Sequence, residues 1–285
     1  MYDSESKDFG DALPEAELLA FKKIINNIYR CRGVDFRQYR PKCLRRRIIV
    51  GMHDVRVNSF VEYLNFLIKN PEAYDSLLNR ITINVTEFFR NQETFKAVRL
   101  KVIPEIIKAK KEIHASSIRV WSSGCATGEE PYSLAIMISE VLSELRENIK
   151  IRIYATDIDK EALKLAEAGI YKEKALKELK GRQVNAYFKK NEQGLYAINP
   201  EFKSMINFMH HNMISDEPLP RMDLIFCRNV IIYFSKELQK LVYDNFYKAL
   251  VPQGYLVAGK TEILMAINES CFERFDLQER ILRKK

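Results

Sequence analysis

Ile118-Arg119-Val120-Trp121-Ser122-Ser123-Gly124-Cys125-Ala126-Thr127-Gly128-Glu129-Glu130-Pro131-Tyr132-Ser133 is the stretch that decides the fold. Ile118, Val120 and Trp121 form a short β-rich run that Ser122, Ser123 and Gly124 break. An apolar helical pattern begins at Pro131 and continues through Leu134, Ala135, Ile138, Val141, Leu142 and Leu145. Strand, glycine loop and helix in that order build a ligand site beyond the carboxyl end of a strand in an open α/β sheet. Gly124 and Gly128 allow close backbone approach to a ligand. With two glycines and two acids, the loop departs from the dinucleotide fingerprint, because Glu129 and Glu130 would repel a pyrophosphate. They suit a cationic ligand carrying hydroxyls, and S-adenosylmethionine is one. A plain strand–helix turn with both acids at the helix start is the alternative reading.

Downstream, Ile151-Arg152-Ile153-Tyr154-Ala155-Thr156-Asp157 reads as a second strand ending in an acid. An acid at that point accepts hydrogen bonds from ribose hydroxyls in nucleoside-binding α/β folds. Asp159 caps a helix over Lys160 to Ala168. An Asp-x-Asp can also hold Mg²⁺, but the sequence reading favours no metal. Residues 170 to about 203 interrupt the strand–helix rhythm: Val184 to Phe188 and Gly194 to Ile198 read as a small antiparallel insertion around a polar loop. The rhythm resumes at Met205 to Asn212 and Met222 to Asn229, then a helix capped by Ser235, then Gly254 to Gly259. Phe272 to Phe275 and Arg280 to Arg283 read as a terminal strand pair. Apolar strands separated by helices predict a parallel sheet covered on both faces, and the antiparallel end makes it the Rossmann-like methyltransferase variant.

Upstream, residues 1 to 12 are polar and acidic and read as disordered. Helical patterns follow from Pro14, from Pro41 to Gly51, from Ser59 to Lys69 and from Pro71 to Arg80. Pro41 opens the second and Gly51 closes it. At about 100° per residue, Lys42, Arg45 and Arg46 share one face while Leu44 and Ile48 face the other way. A first, all-α domain is expected at 14–80. A linker at 81–100 that contributes to the ligand pocket follows, then an α/β domain at 101–285. Ile81 to Arg90 breaks the helical pattern with hydrogen-bonding side chains, Phe88, Phe89 and Arg90, which suits a ligand-contacting linker.

The chain of 285 residues carries a net charge of +8, and most of it is one patch. Eleven Lys or Arg between Phe21 and Arg56 face only Asp35 and Asp54. Such a patch attracts nucleic acid, anionic membrane or an acidic protein. The five cysteines are scattered without a CxxC pair, which fits reduced thiols and offers no metal framework. No long uncharged apolar run and no signal peptide are present, so a cytoplasmic location is expected.

Four segments in register carry a family resemblance: Asn84-Val85-Thr86-Glu87-Phe88-Phe89-Arg90, the Ser122 to Tyr132 loop, Ala155-Thr156-Asp157-Ile158-Asp159, and Phe226-Cys227-Arg228-Asn229-Val230-Ile231-Ile232-Tyr233-Phe234. The chain resembles the CheR-type chemotaxis receptor methyltransferases over nearly its whole length. That resemblance implies methylation of chemoreceptor glutamates with S-adenosylmethionine, releasing S-adenosylhomocysteine, within bacterial chemotaxis. It implies that Asn84, Thr86 and Arg90 line the cofactor pocket with Arg90 near the methionine carboxylate. Gly124 then belongs to the cofactor-binding loop, Glu129 to the amino-acid end, Asp157 to the ribose, and Asn212 and Met213 to the adenine side. Arg228 and Asn229 close the site, and Glu130 is the less favoured acid. Tyr233 is a candidate for the substrate mouth or a packing residue. Arg90 and Tyr233 would position the reactants.

A glutamate has a pKa of about 4.3 and is an anion at neutral pH, so no general base is expected. The resemblance also makes Lys42, Arg45 and Arg46 recognition residues for the acidic cytoplasmic helices of a receptor, with the membrane reached only through that receptor. Some family members grip a receptor-tail peptide through a longer glycine-containing loop. Lys189 to Gly194 is compact here, so tail tethering is not expected; a monomer is. A nucleic-acid methyltransferase and a non-enzymatic S-adenosylmethionine-binding module are the rival readings. An Asn-Pro-Pro-Tyr-type motif for amine methylation is missing, and the glycine loop argues against a dehydrogenase.

Overall fold

The computed structural model describes residues 13–82, 84–262 and 270–285. The acidic start read as disordered lies outside the described residues. The chain divides into two compact units, 1–83 and 84–285.

The first unit is helical. Its elements are α1 (Glu15–Arg32), α2 (Pro41–Asp54), α3 (Phe60–Lys69) and α4 (Ala73–Thr82). Ile24, Ile25 and Ile28 of α1, Leu44 and Ile48 of α2, Leu67 of α3 and Leu77 of α4 are buried together at the spacing of one helical stripe. Gly33 ends α1 in a left-handed conformation and donates its N–H to Tyr29 O at 2.9 Å. The Ser59 hydroxyl caps α3 by accepting from Glu62 N.

Gly51 does not close α2, contrary to the sequence expectation. The helix runs on to Asp54, and a Cβ at Gly51 would lie 2.6 Å from the Tyr63 hydroxyl oxygen. The glycine is there for the close approach of α3.

The second unit is α/β, as the strand and helix pattern predicts. It opens with α5 (Gln92–Ala97), a π-helical turn (Val98–Val102) and α6 (Ile103–Glu112). The alternation follows: β1 (Ser117–Ser123), α7 (Glu129–Leu145), β2 (Lys150–Asp157), α8 (Lys160–Ala168), β3 (Ile170–Tyr171), α9 (Gly181–Tyr187), β4 (Phe188–Lys190), β5 (Tyr196–Ile198), α10 (Pro200–Ser204) and β6 (Ile206–His210). The last elements are β7 (Met222–Cys227), α11 (Lys236–Ala249), β8 (Leu250–Ala258), β9 (Phe272–Asp276) and β10 (Ile281–Lys284).

The main sheet has the order β6-β2-β1-β7-β8-β10-β9. Its first five strands are parallel, while β10 runs antiparallel between β8 and β9. From β1 the chain winds outward through β2 to β6, then returns to the other side of β1 with β7 and β8. The order therefore reverses between β1 and β7, and ligands of such sheets bind outside the carboxyl ends of the strands at that reversal.

A second sheet, β3-β5-β4, is antiparallel. Val184 to Tyr187 belong to α9 and not to a strand, which corrects the sequence expectation for that half of the hairpin. Apolar and β-branched content reads the same in a short strand and a short amphipathic helix. Here only Phe188 to Lys190 pair with β5.

Candidate functional site

The carboxyl ends of β1, β2 and β7 form the floor of the site. Strand β1 extends two residues beyond Trp121, because Ser122 pairs with both Ala155 and Phe226 and Ser123 pairs with Thr156. The serines are buried ladder residues and not strand breakers. Both Gly124 N and Cys125 N then donate to Thr156 O, at 2.8 and 3.0 Å, tying the loop to the end of β2. Gly124 (φ 78°) and Gly128 (φ 95°) take left-handed conformations. A Cβ at Gly124 would meet Val230 Cγ2 at 2.6 Å, and one at Gly128 would meet Ala166 Cβ at 2.9 Å.

Two carboxylates of this region are buried with only neutral partners. Asp157, the last residue of β2, accepts from Ala126 N at 2.8 Å and from Asp159 N at 2.9 Å. Burial raises its pKa, opposed by those two N–H groups. Glu129, in the first turn of α7, accepts from the Thr127 hydroxyl at 2.7 Å, and burial raises its pKa as well, opposed by that hydroxyl and by its own backbone N–H. Helix α7 begins at Glu129, two residues before Pro131, so both acids sit where the helix dipole favours negative charge.

Glu130 is different. It accepts from the Ser122 hydroxyl at 2.8 Å and pairs with Arg228 Nη1 at 3.4 Å. Arg228 Nη2 donates to Arg90 O at 2.8 Å and Asn91 Oδ1 at 2.6 Å, and the guanidinium lies 5.6 Å from the Phe95 ring. Burial raises the Glu130 pKa and lowers that of Arg228. Arg228 thus straps residues 90–91 to α7 through its two terminal nitrogens, while its buried Nε has no hydrogen-bond partner. Asn229, two residues past the end of β7, holds a left-handed φ of 62°.

Residues 84–91 are stitched to the α/β unit. Asn84 Nδ2 donates to Asp159 Oδ2 at 2.7 Å, and Phe89 N donates to the Ser133 hydroxyl at 2.9 Å. Phe88 is fully buried, edge-on to Tyr171 at 4.9 Å and to Phe188 at 5.1 Å. Arg90 Nη1 donates to Val85 O, and its charge acts on both Glu130 and Arg228. Thr86 is half-buried in the same segment.

Asp159 caps α8 through Glu161 N and Ala162 N, as its position predicts. Its engagement there and with Asn84 turns it toward protein donors; among the described residues there is no cluster of three or more metal-ligating side chains.

Beyond β6, Asn212 Oδ1 accepts from Ile214 N, and Asn245 Nδ2 donates to Met213 O at 3.4 Å. Tyr233 is half-buried at the end of a 3-10 turn, Ile231–Tyr233. Of the cations in the first unit, Lys42 and Arg46 are exposed on α2, while the Arg45 guanidinium lies 5.5 Å from the Phe21 ring. Among the described residues no acid pairs with these three.

Sequence reading missed Glu262, Gln239 and Tyr171. Glu262 accepts from Gly259 N, Val230 N and Ile231 N, and burial pushes its pKa up to about 7. Gln239 donates to Ile231 O and Phe234 O. The Tyr171 hydroxyl donates to Thr127 O at 2.8 Å in the glycine loop. The only sequence signal for Glu262 is an acid close behind the Gly254 to Gly259 strand. Gln239 and Tyr171 have none, because each bonds a backbone group through a contact that no local pattern encodes.

The family model for the CheR methyltransferase all-alpha domain matches residues 19–82, and that for the CheR methyltransferase SAM binding domain matches residues 84–281. A chemotaxis protein methyltransferase of Listeria innocua is 32% identical over 252 residues, 88% of this chain and 91% of the relative. That of Escherichia coli is 30% identical over 250 residues, 85% and 83% of the two chains. An uncharacterised 104.1 kDa protein of Rhodobacter capsulatus is 33% identical over 259 residues, 91% of this chain, which spans 27% of that relative's length. No helix among the described residues is long and apolar enough to cross a membrane. With a sheet of reversed order, a glycine loop at the reversal and both family models in tandem, the chain belongs to the CheR methyltransferase family and is an S-adenosylmethionine-dependent methyltransferase.

Proposed function

We propose that the protein transfers the methyl group of S-adenosylmethionine to glutamate side chains of chemoreceptors, giving glutamate methyl esters and S-adenosylhomocysteine. The observation that carries this reading is the pair of buried carboxylates, Glu129 and Asp157, whose hydrogen-bonding partners are all neutral. Buried charge without a counter-charge is costly. A ligand bearing a sulfonium, an ammonium group and ribose hydroxyls offsets that cost, so the donor set fits S-adenosylmethionine. When bound, this cofactor supplies an electrophilic methyl group.

The protein's own residues bind, orient and exclude water. Glu129 faces the amino-acid end and Asp157 the ribose, with Asn212 and Met213 on the adenine side. Asn84, Thr86 and Arg90 wall the pocket, and Arg90 offers a cation to the methionine carboxylate. Arg228 acts by holding residues 90–91 in place, and Asn229 and Tyr233 form the wall toward the acceptor.

The acceptor carboxylate is already ionised at neutral pH, so no residue has to remove a proton. Alignment of two reactants can supply about 7–11 kcal/mol of the barrier reduction. Lys42, Arg45 and Arg46 on α2 offer cations to the acidic receptor helices. A cytoplasmic, monomeric enzyme that works without a receptor-tail tether and without metal completes the reading.

The test is methyl transfer from labelled S-adenosylmethionine to a receptor cytoplasmic fragment, followed by mild alkali. Label released as methanol identifies a carboxyl ester. Alkali-stable label would place the methyl group on nitrogen and overturn the glutamate assignment.

A further inference from the structure

Between β7 and α11 the chain makes one tight turn, residues 229–234, with Asn229 at its start and Tyr233 near its end. Two buried side chains hold its backbone. Glu262 accepts from Val230 N at 3.1 Å and Ile231 N at 3.2 Å with one oxygen, and from Gly259 N at 2.7 Å with the other. Gln239, on the first turns of α11, donates one amide nitrogen to Ile231 O at 3.1 Å and Phe234 O at 3.2 Å. A carboxyl accepting through both oxygens therefore holds the turn's N–H groups to Gly259, and an amide donor serves the turn's carbonyls.

We infer that Glu262 and Gln239 are positioning residues for methyl transfer, which together set the Asn229–Phe234 turn and the end of β8 in one geometry. This rests on the proposed reading, in which Asn229 and Tyr233 face the reactants.

Two further observations support a built clamp. Asn229 holds a left-handed φ, which persists where its surroundings over-determine it. Gly259 leaves the room the clamp needs: a Cβ there would lie 2.8 Å from Asn229 N and 3.3 Å from Glu262 Cδ. Glu262 is 1% exposed, and among the described residues no cation forms an ion pair with it. A fully buried carboxylate without an ion-pair partner costs stability. Its three N–H donors are all backbone groups, two in the turn and one just past the end of β8, so what the carboxyl secures is loop geometry.

The substitutions follow from donor and acceptor matching. Glu262→Gln keeps the size but replaces one acceptor oxygen by an NH₂ group that faces N–H donors. Gln239→Leu removes the donor while keeping most of the bulk.

The experiment measures S-adenosylhomocysteine affinity by calorimetry, kcat and both KM values for ester formation, and Tm, for the wild type and each variant. The expected result for E262Q is a folded protein with kcat and S-adenosylhomocysteine affinity each lowered about tenfold, and a receptor KM close to the wild type. Q239L lowers kcat in the same direction by a smaller factor. If E262Q does not fold, Q239L carries the test alone, since Glu262 remains intact in it.

Variants that lose Tm but keep kcat and affinity per folded molecule would overturn the inference and leave a purely structural clamp. If the wild type makes no carboxyl ester, the substrate assignment falls. The clamp is then judged by cofactor affinity alone: lowered in E262Q it stands, unchanged it falls.

Discussion

Arg228 and Glu130 form a buried ion pair at 3.4 Å, with side chains 2% and 14% exposed, joining the end of β7 to the first turn of α7. The same guanidinium holds Arg90 O and Asn91 Oδ1. Removing one partner of a buried pair strands the other charge and costs about 3–5 kcal/mol. Arg228→Met should lose that much in chemical denaturation. Glu130→Gln, which keeps the Ser122 bond, should lose less. An unchanged midpoint for Arg228→Met would show that the pair is not a structural joint.

Asp157 offers the test of the cofactor site. Asp157→Asn preserves shape but removes the negative charge and one acceptor. Hydrogen bonds to charged groups contribute about 1.5–3 kcal/mol, so S-adenosylmethionine affinity should fall roughly ten- to a hundredfold. Calorimetric titration reads this directly. Wild-type affinity in the variant would remove Asp157 from the ribose site.

Gly128 is constrained twice, by its φ of 95° and by Ala166 Cβ and Cα at 2.9 and 3.1 Å from the position of an added Cβ. Gly128→Ala should cost about 1–3 kcal/mol from the backbone alone, with a further loss from the clash with α8. Cofactor affinity should fall with it. Thermal unfolding with and without S-adenosylhomocysteine separates the two effects, because a ligand that still binds raises Tm.

The cations on α2 predict a substrate effect without a cofactor effect. Charge reversal of Lys42 or Arg46 should raise the receptor KM about fivefold each and leave the S-adenosylmethionine KM unchanged, since an exposed pair contributes up to about 1 kcal/mol. The effect should shrink with added salt. Arg45→Lys should weaken recognition less than reversal does, while losing the planar contact with Phe21. A change in cofactor KM instead would assign these residues another role.

Glu262 predicts the pH dependence of stability. Its carboxyl is raised from the usual 4.5 to about 7 by burial, against the three N–H groups and Arg228, with the thiol of Cys227 and the hydroxyl of Tyr243 as further neighbours. A raised folded-state pKa means that its stabilising contribution is complete below about pH 4.5 and is lost as pH rises through about 7. Wild-type stability should therefore fall relative to Glu262→Gln across that window, by on the order of 3 kcal/mol. Parallel curves for the two proteins in urea titrations at several pH values would contradict it.

Much of this architecture is legible from the chain itself. Ile118 to Trp121, Ile151 to Asp157 and Met222 to Cys227 are apolar enough to be read as strands of a covered sheet. Gly124 and Gly128 mark a loop that needs left-handed backbone, and Asp159 caps α8 where a helix was expected. These are local properties, set by side-chain period, by the absence of a Cβ and by a short polar side chain next to free N–H groups. Local signals failed where two structures share one pattern. Val184 to Tyr187 became helix, Ser122 and Ser123 continued a strand, and α2 ran past Gly51.

The order of elements follows from the chain's local patterns, and with it the α/β class and the glycine loop at the end of β1. Packing of the folded chain settled which of the two adjacent acids is paired. Glu130 meets Arg228 from 98 residues away, while Glu129 accepts from neutral groups alone, a threonine hydroxyl and its own backbone N–H. It likewise decided that Glu262 and Gln239 grip one turn, one through its N–H groups and the other through its carbonyls. Periodicity records which face of an element is apolar. It carries no record of which distant backbone N–H a buried carboxylate will meet, because that partner exists only once the sheet has brought the ends of its strands together.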